Sequence, residues 1–356
     1  MAAFAAYLAG LFLLSRPARE AVRVRAVIAL ACAVQLAPLA GPVLLSTDVY
    51  TYWMYGRIGT EHGDNPYVDV PRGYPDDPAF ELMGSYWYDT TSVYGPGFSL
   101  ASEGHALVVG ESPDAAAWTY RVLAAAAMIA LVLLAARLGA RPAFSAAFVG
   151  WNPLLAVHFA GGGHNDAWMM AFVLGALALA ASGRRALAGA AWAAAISIKW
   201  VPVLFLPLRL LEARRVGRRI DHRGLAAAAA VIVAIATWRY GLDWLRAAGP
   251  LASNLAEDRA WYAVPVRISH VGISEDVVVI AFAFAFAVAY AWLLREAWRG
   301  RARLALAAGL LLVATSWLVP WYAVWAVPLA AVEEDRPARW LALGMSAYLL
   351  RDAVPI

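Results

Sequence analysis

The chain has little charge, one cysteine and one lysine, and each shortage narrows the class of protein to which it can belong. Only 15% of its 356 residues are charged and 62% are hydrophobic, whereas soluble globular domains carry roughly 25% charged residues. This composition excludes a disordered chain or a coiled coil and indicates a membrane protein. A single cysteine, Cys32, excludes an intrachain disulfide, a cysteine zinc site and a cysteine-pair redox motif.

The charge that is present is mostly arginine. Lys199 is the only lysine among 29 basic residues, and the net charge is +4. Because the arginines are dispersed in the gaps between apolar runs, we attribute them to loops retained in the cytoplasm and expect no nucleic-acid partner.

Repeated apolar runs predict an all-α, polytopic transmembrane helix bundle of about 10–12 membrane segments, some of them short or re-entrant. We expect one membrane-embedded domain over residues 1–356. The amino terminus lacks a positively charged region and a small-residue cleavage site, so we expect no removable signal peptide. The runs lie near residues 2–15, 25–45, 115–136, 143–160, 166–181, 186–211, 224–238, 277–294, 304–319, 322–332 and 340–350.

Arginines cluster in alternate gaps, which predicts the sidedness of the chain. These gaps are expected on the cytoplasmic side, and the other gaps on the opposite side of the plasma membrane. The run at 186–211 has basic residues at both ends, so we expect a pair of short helices hinged near Lys199. The arginine-bearing gaps lie near residues 16–25, 137–141, 184–185, 209–223, 295–303 and 336–339.

Residues 46–114 are predicted to form a large, ordered, non-cytoplasmic loop. A loop of this length in a compact bundle is usually functional or disordered, and its many tyrosines and tryptophans favour order. An apolar stretch near residues 98–110 could lie along the interface as a helix. An aromatic belt at the membrane boundary would also account for the aromatic residues.

Asp48 directly follows an apolar run and is a candidate catalytic residue. A carboxylate near the lipid boundary is costly unless it is solvated, paired or used. The alternative is that Asp48 caps the amino end of a helix, and the two roles are compatible.

A second polar group, His164, Asn165 and Asp166, follows three glycines on the same predicted face. Capping of the next helix explains one of these side chains but not all three. His164 could be an acid, a base, a metal ligand or a hydrogen-bonded structural group. With Asp48 and Asp166 it could bind a divalent cation, although the spacing matches no specific metal motif. No cofactor is predicted with certainty.

Lys199, Arg121 and Arg239 are candidate ligands for a donor phosphate. All three are expected on the arginine-poor face, where positive charge suits a lipid phosphate or diphosphate. For Lys199 the alternative is that the side chain only snorkels to the interface.

Six motifs in consistent order resemble the polyprenol-phosphate-mannose-dependent α-1,6-mannosyltransferases of actinobacteria, which are membrane-embedded type C glycosyltransferases. The similarity extends from about residue 40 to residue 330. The motifs are TDVYTYWMYGR (47–57), DNPY (64–67), SVYGPG (92–97), GGGHNDAWMM (161–170), IKWVP (198–202) and VPWYAVW (319–325).

This resemblance implies an enzyme that transfers a sugar, expected to be mannose, from a polyprenyl-phosphate donor to a glycan or glycolipid acceptor with inversion. The membrane lipid is its environment, and the site faces the non-cytoplasmic side. In such enzymes an acidic residue of the first outer loop is the general base or orients the acceptor, a role that falls on Asp48. Expected sugar- or acceptor-binding residues are Tyr50, Tyr52, Asn65, Tyr94, His164, Asn165, Asp166, Trp321 and Tyr322.

Two other classes of function compete with a transferase. A transporter of a lipid or sugar predicts charged groups near the bilayer midplane and related halves of the chain, and neither is evident in the sequence. A noncatalytic scaffold would use the outer loop only to bind a partner.

Overall fold

The computed structural model describes residues 2–15, 24–217, 222–248 and 259–353, and within these ranges the chain is helical and contains no β-strand. The prediction of an all-α fold with apolar helices is confirmed. The helices, in chain order, are α1 (Ala2–Leu14), α2 (Val24–Leu36), α3 (Asp48–Thr60), α4 (Pro96–Val109), α5 (Pro113–Leu138), α6 (Pro142–Gly150), α7 (Pro153–Ala156), α8 (Asp166–Ala181), α9 (Arg185–Ile198), α10 (Phe205–Arg215), α11 (His222–Tyr240), α12 (Val264–Ser269), α13 (Glu275–Trp298), α14 (Leu304–Ala314), α15 (Val327–Val332) and α16 (Arg336–Ala353).

Two of the described helices, α5 and α13, are long and apolar enough to cross a membrane by themselves. A third candidate span is the pair Pro142–Gly150 and Pro153–Gly161, which is bent by 51°. The bend falls where Asn152 caps the new helix through the Leu154 amide and Pro153 starts it. Most other apolar helices have 10–17 residues, short of the ~20 that a perpendicular span needs. The number of crossings stays a prediction.

The predicted hinge at Lys199 is present. Helix α9 ends at Ile198, and Lys199 itself has an extended backbone with φ −153° and ψ 144°. A short 3-10 turn, Val201–Leu204, then leads into α10. Because an extended residue breaks the helical hydrogen-bond ladder, α9 and α10 are separate helices and Lys199 lies at the break between them.

Residues in or beside several arginine-bearing gaps contact one another, whereas residues 16–23 and 218–221 of these gaps lie outside the described residues. The Arg137 guanidinium donates to Ser182 Oγ (3.0 Å), Arg141 donates to the Ser15 carbonyl, the Ala302 amide donates to Glu212 Oε1 (3.0 Å), and Arg303 Nη2 donates to Asp335 Oδ1 (2.9 Å). These contacts are compatible with the sidedness inferred from the arginines, which stays a prediction.

Segments from the intervening gaps also contact one another. The Leu44 amide donates to the Gly161 carbonyl (3.0 Å), and the Gly95 amide donates to the Ile198 carbonyl (3.0 Å). The first bond joins the segment before Asp48 to the glycine-rich turn, and the second joins the loop before α4 to the residue that precedes Lys199.

Residues 46–114 are well packed and contain α3, α4 and two 3-10 turns. The helix predicted near residues 98–110 corresponds to α4. Tyr52, Trp53 and Tyr55 of α3 are buried in the protein core, so they are not part of an aromatic belt. The Arg57 Nε donates to the buried Asp77 carboxylate at 2.9 Å, and Arg57 also donates to the Gly110 carbonyl at 3.1 Å. The ion pair ties the beginning of the segment to its middle, and the bond to Gly110 ties it to its end. Removing one partner of the ion pair would leave a buried charge unpaired.

Candidate functional site

A cavity of about 250 Å³ lies where the start of α3, the Lys199 hinge and the segment around Trp321 come together. Its wall combines one carboxylate, one ammonium group and a set of aromatic rings. Six of the predicted site residues line it, namely Asp48, Tyr52, Tyr94, Lys199, Trp321 and Tyr322. The sequence reasoning missed five other lining residues, which are Tyr86, Trp87, Val93, Trp317 and Val319.

Asp48 is the first residue of α3, and its carboxylate faces the cavity. The N-cap position belongs to Thr47, whose side chain makes no capping bond. Oδ2 of Asp48 lies 3.3 Å from Nδ1 of His164, and the Tyr52 hydroxyl donates to the same oxygen at 3.5 Å. The capping alternative is therefore wrong for this carboxylate, which still benefits from the positive end of the helix dipole.

His164 is fully buried beside Asp48. Its ring stacks on Trp321 with the centroids 3.7 Å apart and an interplanar angle of 12°. The glycines before it make this placement feasible: Gly163 has φ +71°, and a Cβ there would collide with Val49. Only glycine combines this backbone conformation with such a close approach, so the turn fixes His164 against the first turn of α3.

Lys199 pairs with Asp166 at the edge of the same cavity. Nζ donates to Asp166 Oδ1 at 2.8 Å, and the Trp325 indole donates to the same oxygen at 2.7 Å. The ammonium also lies over the Tyr322 ring, 4.6 Å from its centroid, where it gains cation–π attraction. Because the Lys199 side chain is only 16% exposed and is held inward, the snorkelling alternative is wrong.

Asn165 and Asp166 do not cap α8 with their side chains. Asn165 occupies the N-cap position without a side-chain capping bond. It is buried, and in the described part of the chain neither of its amide atoms has a hydrogen-bond partner. It does not line the cavity, whereas Asp166 reaches it only through Lys199.

Arg121 and Arg239 lie outside the cavity lining, so we withdraw both as phosphate ligands. Arg121 donates to three backbone carbonyls, those of Ala160 (2.9 Å), Pro38 (2.6 Å) and Gly41 (2.8 Å). Arg239 donates to Glu103 Oε2 (3.0 Å) and to the Gly59 carbonyl (2.7 Å). Both guanidinium groups join segments of the fold.

Tyr50 and Asn65 are also absent from the cavity lining. Tyr50 lies on α3, where it is half-buried. The Asn65 side chain donates to the Tyr240 carbonyl (3.0 Å) and accepts from the Tyr67 amide (3.1 Å). Asn65 therefore shapes a loop rather than the site.

Tyr94 of the cavity wall is a neutral hydroxyl near neutral pH. Burial, and next the neighbouring Asp48 carboxylate, raise the pKa of Tyr94 well above its usual value. A protonated phenol can donate a hydrogen bond to a sugar or phosphate oxygen.

Metal-ligand geometry gives no support for the suggested divalent cation. Asp48 and His164 are adjacent, but Asp166 is occupied by Lys199 and Trp325. Within the residues that the structure describes, no group of three or more histidine, cysteine or acidic side chains is placed to hold a metal.

Residues 1–214 match the model of the alpha-(1->6)-mannopyranosyltransferase N-terminal domain. The chain belongs to this family. The matched part contains Asp48, His164, Asp166 and Lys199, so all the charged groups of the site lie within it.

Individual relatives agree with this assignment. Alpha-(1->6)-mannopyranosyltransferase A of Mycobacterium tuberculosis is 28% identical, over 66% of this chain and 48% of its own length. The Corynebacterium glutamicum protein of the same name is 29% identical, over 46% of this chain and 34% of its own length. A second M. tuberculosis alpha-(1->6)-mannopyranosyltransferase is 28% identical, over 82% of this chain and 63% of its own length. The chain thus spans about half the length of the first of these relatives. No solved structure is significantly similar.

Proposed function

We propose that this protein transfers a mannosyl residue from a polyprenyl-phosphate donor to a glycan or glycolipid acceptor, with inversion, on the non-cytoplasmic side of the plasma membrane. The observation that carries the proposal is the presence of Asp48 and Lys199 in one aromatic-walled cavity. Family membership adds the sugar, because the relatives are named mannopyranosyltransferases.

Asp48 supplies the base in this proposal. Its carboxylate accepts the proton of an acceptor hydroxyl while that oxygen attacks C1 of the donor sugar. The bond from C1 to the phosphate oxygen breaks on the opposite face, so a β-linked donor gives an α-linked product. A base with Tyr52 and His164 as close neighbours suits this role, because they restrict its orientation before the acceptor arrives.

Lys199 stabilises the departing polyprenyl phosphate. Its ammonium has three donors, of which one bonds to Asp166, so two others can reach phosphate oxygens in the cavity. Negative charge develops on those oxygens as the C1–O bond breaks, and a fixed cation favours that change. Asp166 and Trp325 hold Lys199 in place for this step.

The fold also suits a lipid-linked donor. The protein combines apolar helices with a polar cavity, and within the described residues no arginine lines that cavity. If the arginines mark the cytoplasm, the cavity opens at the non-cytoplasmic leaflet. A donor could then keep its isoprenoid tail in the membrane while its sugar enters the cavity.

The proposal is tested by incubating purified protein with radiolabelled polyprenyl-phosphate mannose and a mannose oligosaccharide. We expect labelled product with this donor and none with a nucleotide-linked mannose. Parallel reactions with a chelator measure any metal requirement. Transfer from the nucleotide-linked donor alone would contradict the proposed donor, and absence of transfer from either would contradict the proposed reaction.

A further inference from the structure

Three aromatic rings that the sequence did not single out form a corner at the cavity. Tyr86 and Trp317 are stacked, with centroids 5.3 Å apart and an interplanar angle of 26°. Trp87 stands across both, at 88° to Tyr86 and 74° to Trp317. All three line the cavity. We call these residues, Tyr86, Trp87 and Trp317, the aromatic corner.

The aromatic corner is next to the proposed base. Gly84, which precedes it, is so near Thr47 that a Cβ on Gly84 would lie 3.2 Å from the Thr47 hydroxyl. Thr47 in turn immediately precedes Asp48. Trp317 lies four residues before Trp321, the ring that stacks on His164. One of the two chain segments that build the corner thus approaches Thr47, beside Asp48, and the other contacts His164 through Trp321.

The corner also faces water rather than lipid tails. Tyr86 is 51% exposed. Close by, Arg72 pairs with Asp89, and their side chains are 58% and 65% exposed. The Arg72 amide donates to the Tyr88 carbonyl at 2.9 Å, which fixes this charged pair beside the corner. An exposed ion pair is incompatible with hydrocarbon, so a hydrophilic molecule can reach Tyr86 from solution.

We infer that the aromatic corner binds a pyranose unit of the acceptor glycan by stacking. One face of a pyranose carries several C–H groups, which pack against aromatic rings while the hydroxyls remain available to water and to Asp48. Two stacked rings with a third ring across them can contact a sugar face and a sugar edge together. This inference rests on the proposed function and adds where its acceptor binds: on the water-facing, Asp48 side of the cavity, with the lipid phosphate on the Lys199 side.

Kinetics with α-1,6-mannotriose as acceptor and polyprenyl-phosphate mannose as donor test the inference. We expect Trp317→Ala and Tyr86→Ala each to raise the acceptor KM about tenfold, as for loss of one aromatic stacking contact. The donor KM should change by less than about twofold, a difference too small to signify a lost contact. Tyr86→Phe, which keeps the ring, should behave like the unaltered protein. Trp340→Ala is the matched control, because Trp340 is 73% exposed on α16 and outside the cavity lining.

An unchanged acceptor KM in both alanine variants would overturn the inference, and so would an equal rise in donor KM. If Trp317→Ala does not fold, the acceptor KM values of Tyr86→Ala and Tyr86→Phe decide whether the corner binds the acceptor, because Tyr86 is exposed and its replacement should leave the fold intact. Saturation-transfer NMR of mannotriose on the Asp48→Asn protein separates binding from reaction. Saturation of pyranose C–H protons that is lost with Trp317→Ala supports the corner even if transfer itself fails. If mannotriose shows no saturation on the Asp48→Asn protein, the acceptor does not bind at the corner. That result overturns the inference even if the unaltered protein transfers mannose.

Discussion

Oδ2 of Asp48 lies 3.3 Å from Nδ1 of His164, and the His164 ring is fully buried against Trp321. The imidazole has little freedom to turn, because Trp321 covers one face and the Gly162–Gly163 turn supports its backbone. Asp48 therefore has a fixed neighbour on the side away from the cavity. We assign His164 the role of positioning the Asp48 carboxylate.

Replacing His164 with alanine should lower kcat about 100-fold, because small displacements of a catalytic group can cost that much. The KM values for donor and acceptor should change little, since His164 does not line the cavity. The pH dependence of the residual activity should also differ from that of the unaltered protein. His270→Ala is the control, because His270 is exposed and contacts Trp261 outside the site. An unaltered kcat and pH profile would refute a positioning role.

Replacing Lys199 with methionine should raise the donor KM at least about tenfold, the size expected for a lost hydrogen bond from a charged group. The change keeps most of the side-chain volume but leaves the buried Asp166 carboxylate without its ion pair. The double variant Lys199→Met with Asp166→Asn removes that unpaired charge. Donor binding by lipid competition should remain weak in the double variant. Recovery of donor affinity there would mean that Lys199 only neutralises Asp166 and does not bind phosphate.

Replacing Arg121 with alanine should destabilise the protein without changing donor use. The guanidinium is almost completely buried and satisfies three backbone carbonyls, so its loss should cost on the order of 2–4 kcal/mol. We expect a lower midpoint of thermal unfolding in detergent, with partial recovery in Arg121→Lys. If the variant instead kept its thermal midpoint and lost affinity for the donor, Arg121 would be a phosphate ligand after all.

The two ends of the bundle should be accessible from opposite sides of the membrane. In a Cys32→Ala background, a cysteine at the exposed Glu61 should react with an impermeant thiol reagent added to whole cells. A cysteine at the exposed Arg214 should react only after the cells are opened. The reverse pattern would place the cavity on the cytoplasmic side.

The sequence predicted the helices and the Lys199 hinge well, because apolar runs and flanking arginines act locally. It also named Asp48, His164 and Lys199 as members of one site. It could not decide whether Asp48 caps α3, because the neighbouring Thr47 is equally suited to the N-cap position. The outcome depends on whether the helix begins at Asp48 or one residue later.

Other features of the site depend on contacts between distant parts of the chain. The carbonyl partners of Arg121 come from Pro38, Gly41 and Ala160, so its structural role is visible only in the folded protein. Trp317 is likewise placed beside Tyr86 by tertiary packing. The only hint of the corner in the sequence was the high density of aromatic residues near it. An aromatic belt at the membrane boundary explains such a density equally well.

Turnover of Asp48→Asn with polyprenyl-phosphate mannose and a mannose oligosaccharide is the most direct test of the proposed chemistry. The amide keeps the shape of the side chain but cannot serve as the base, so we expect a loss of at least about 100-fold. Donor binding and the thermal midpoint should be retained, because Asp48 pairs with no arginine or lysine in the described residues. Near-normal turnover in a folded Asp48→Asn protein would contradict the assignment of Asp48 as the base.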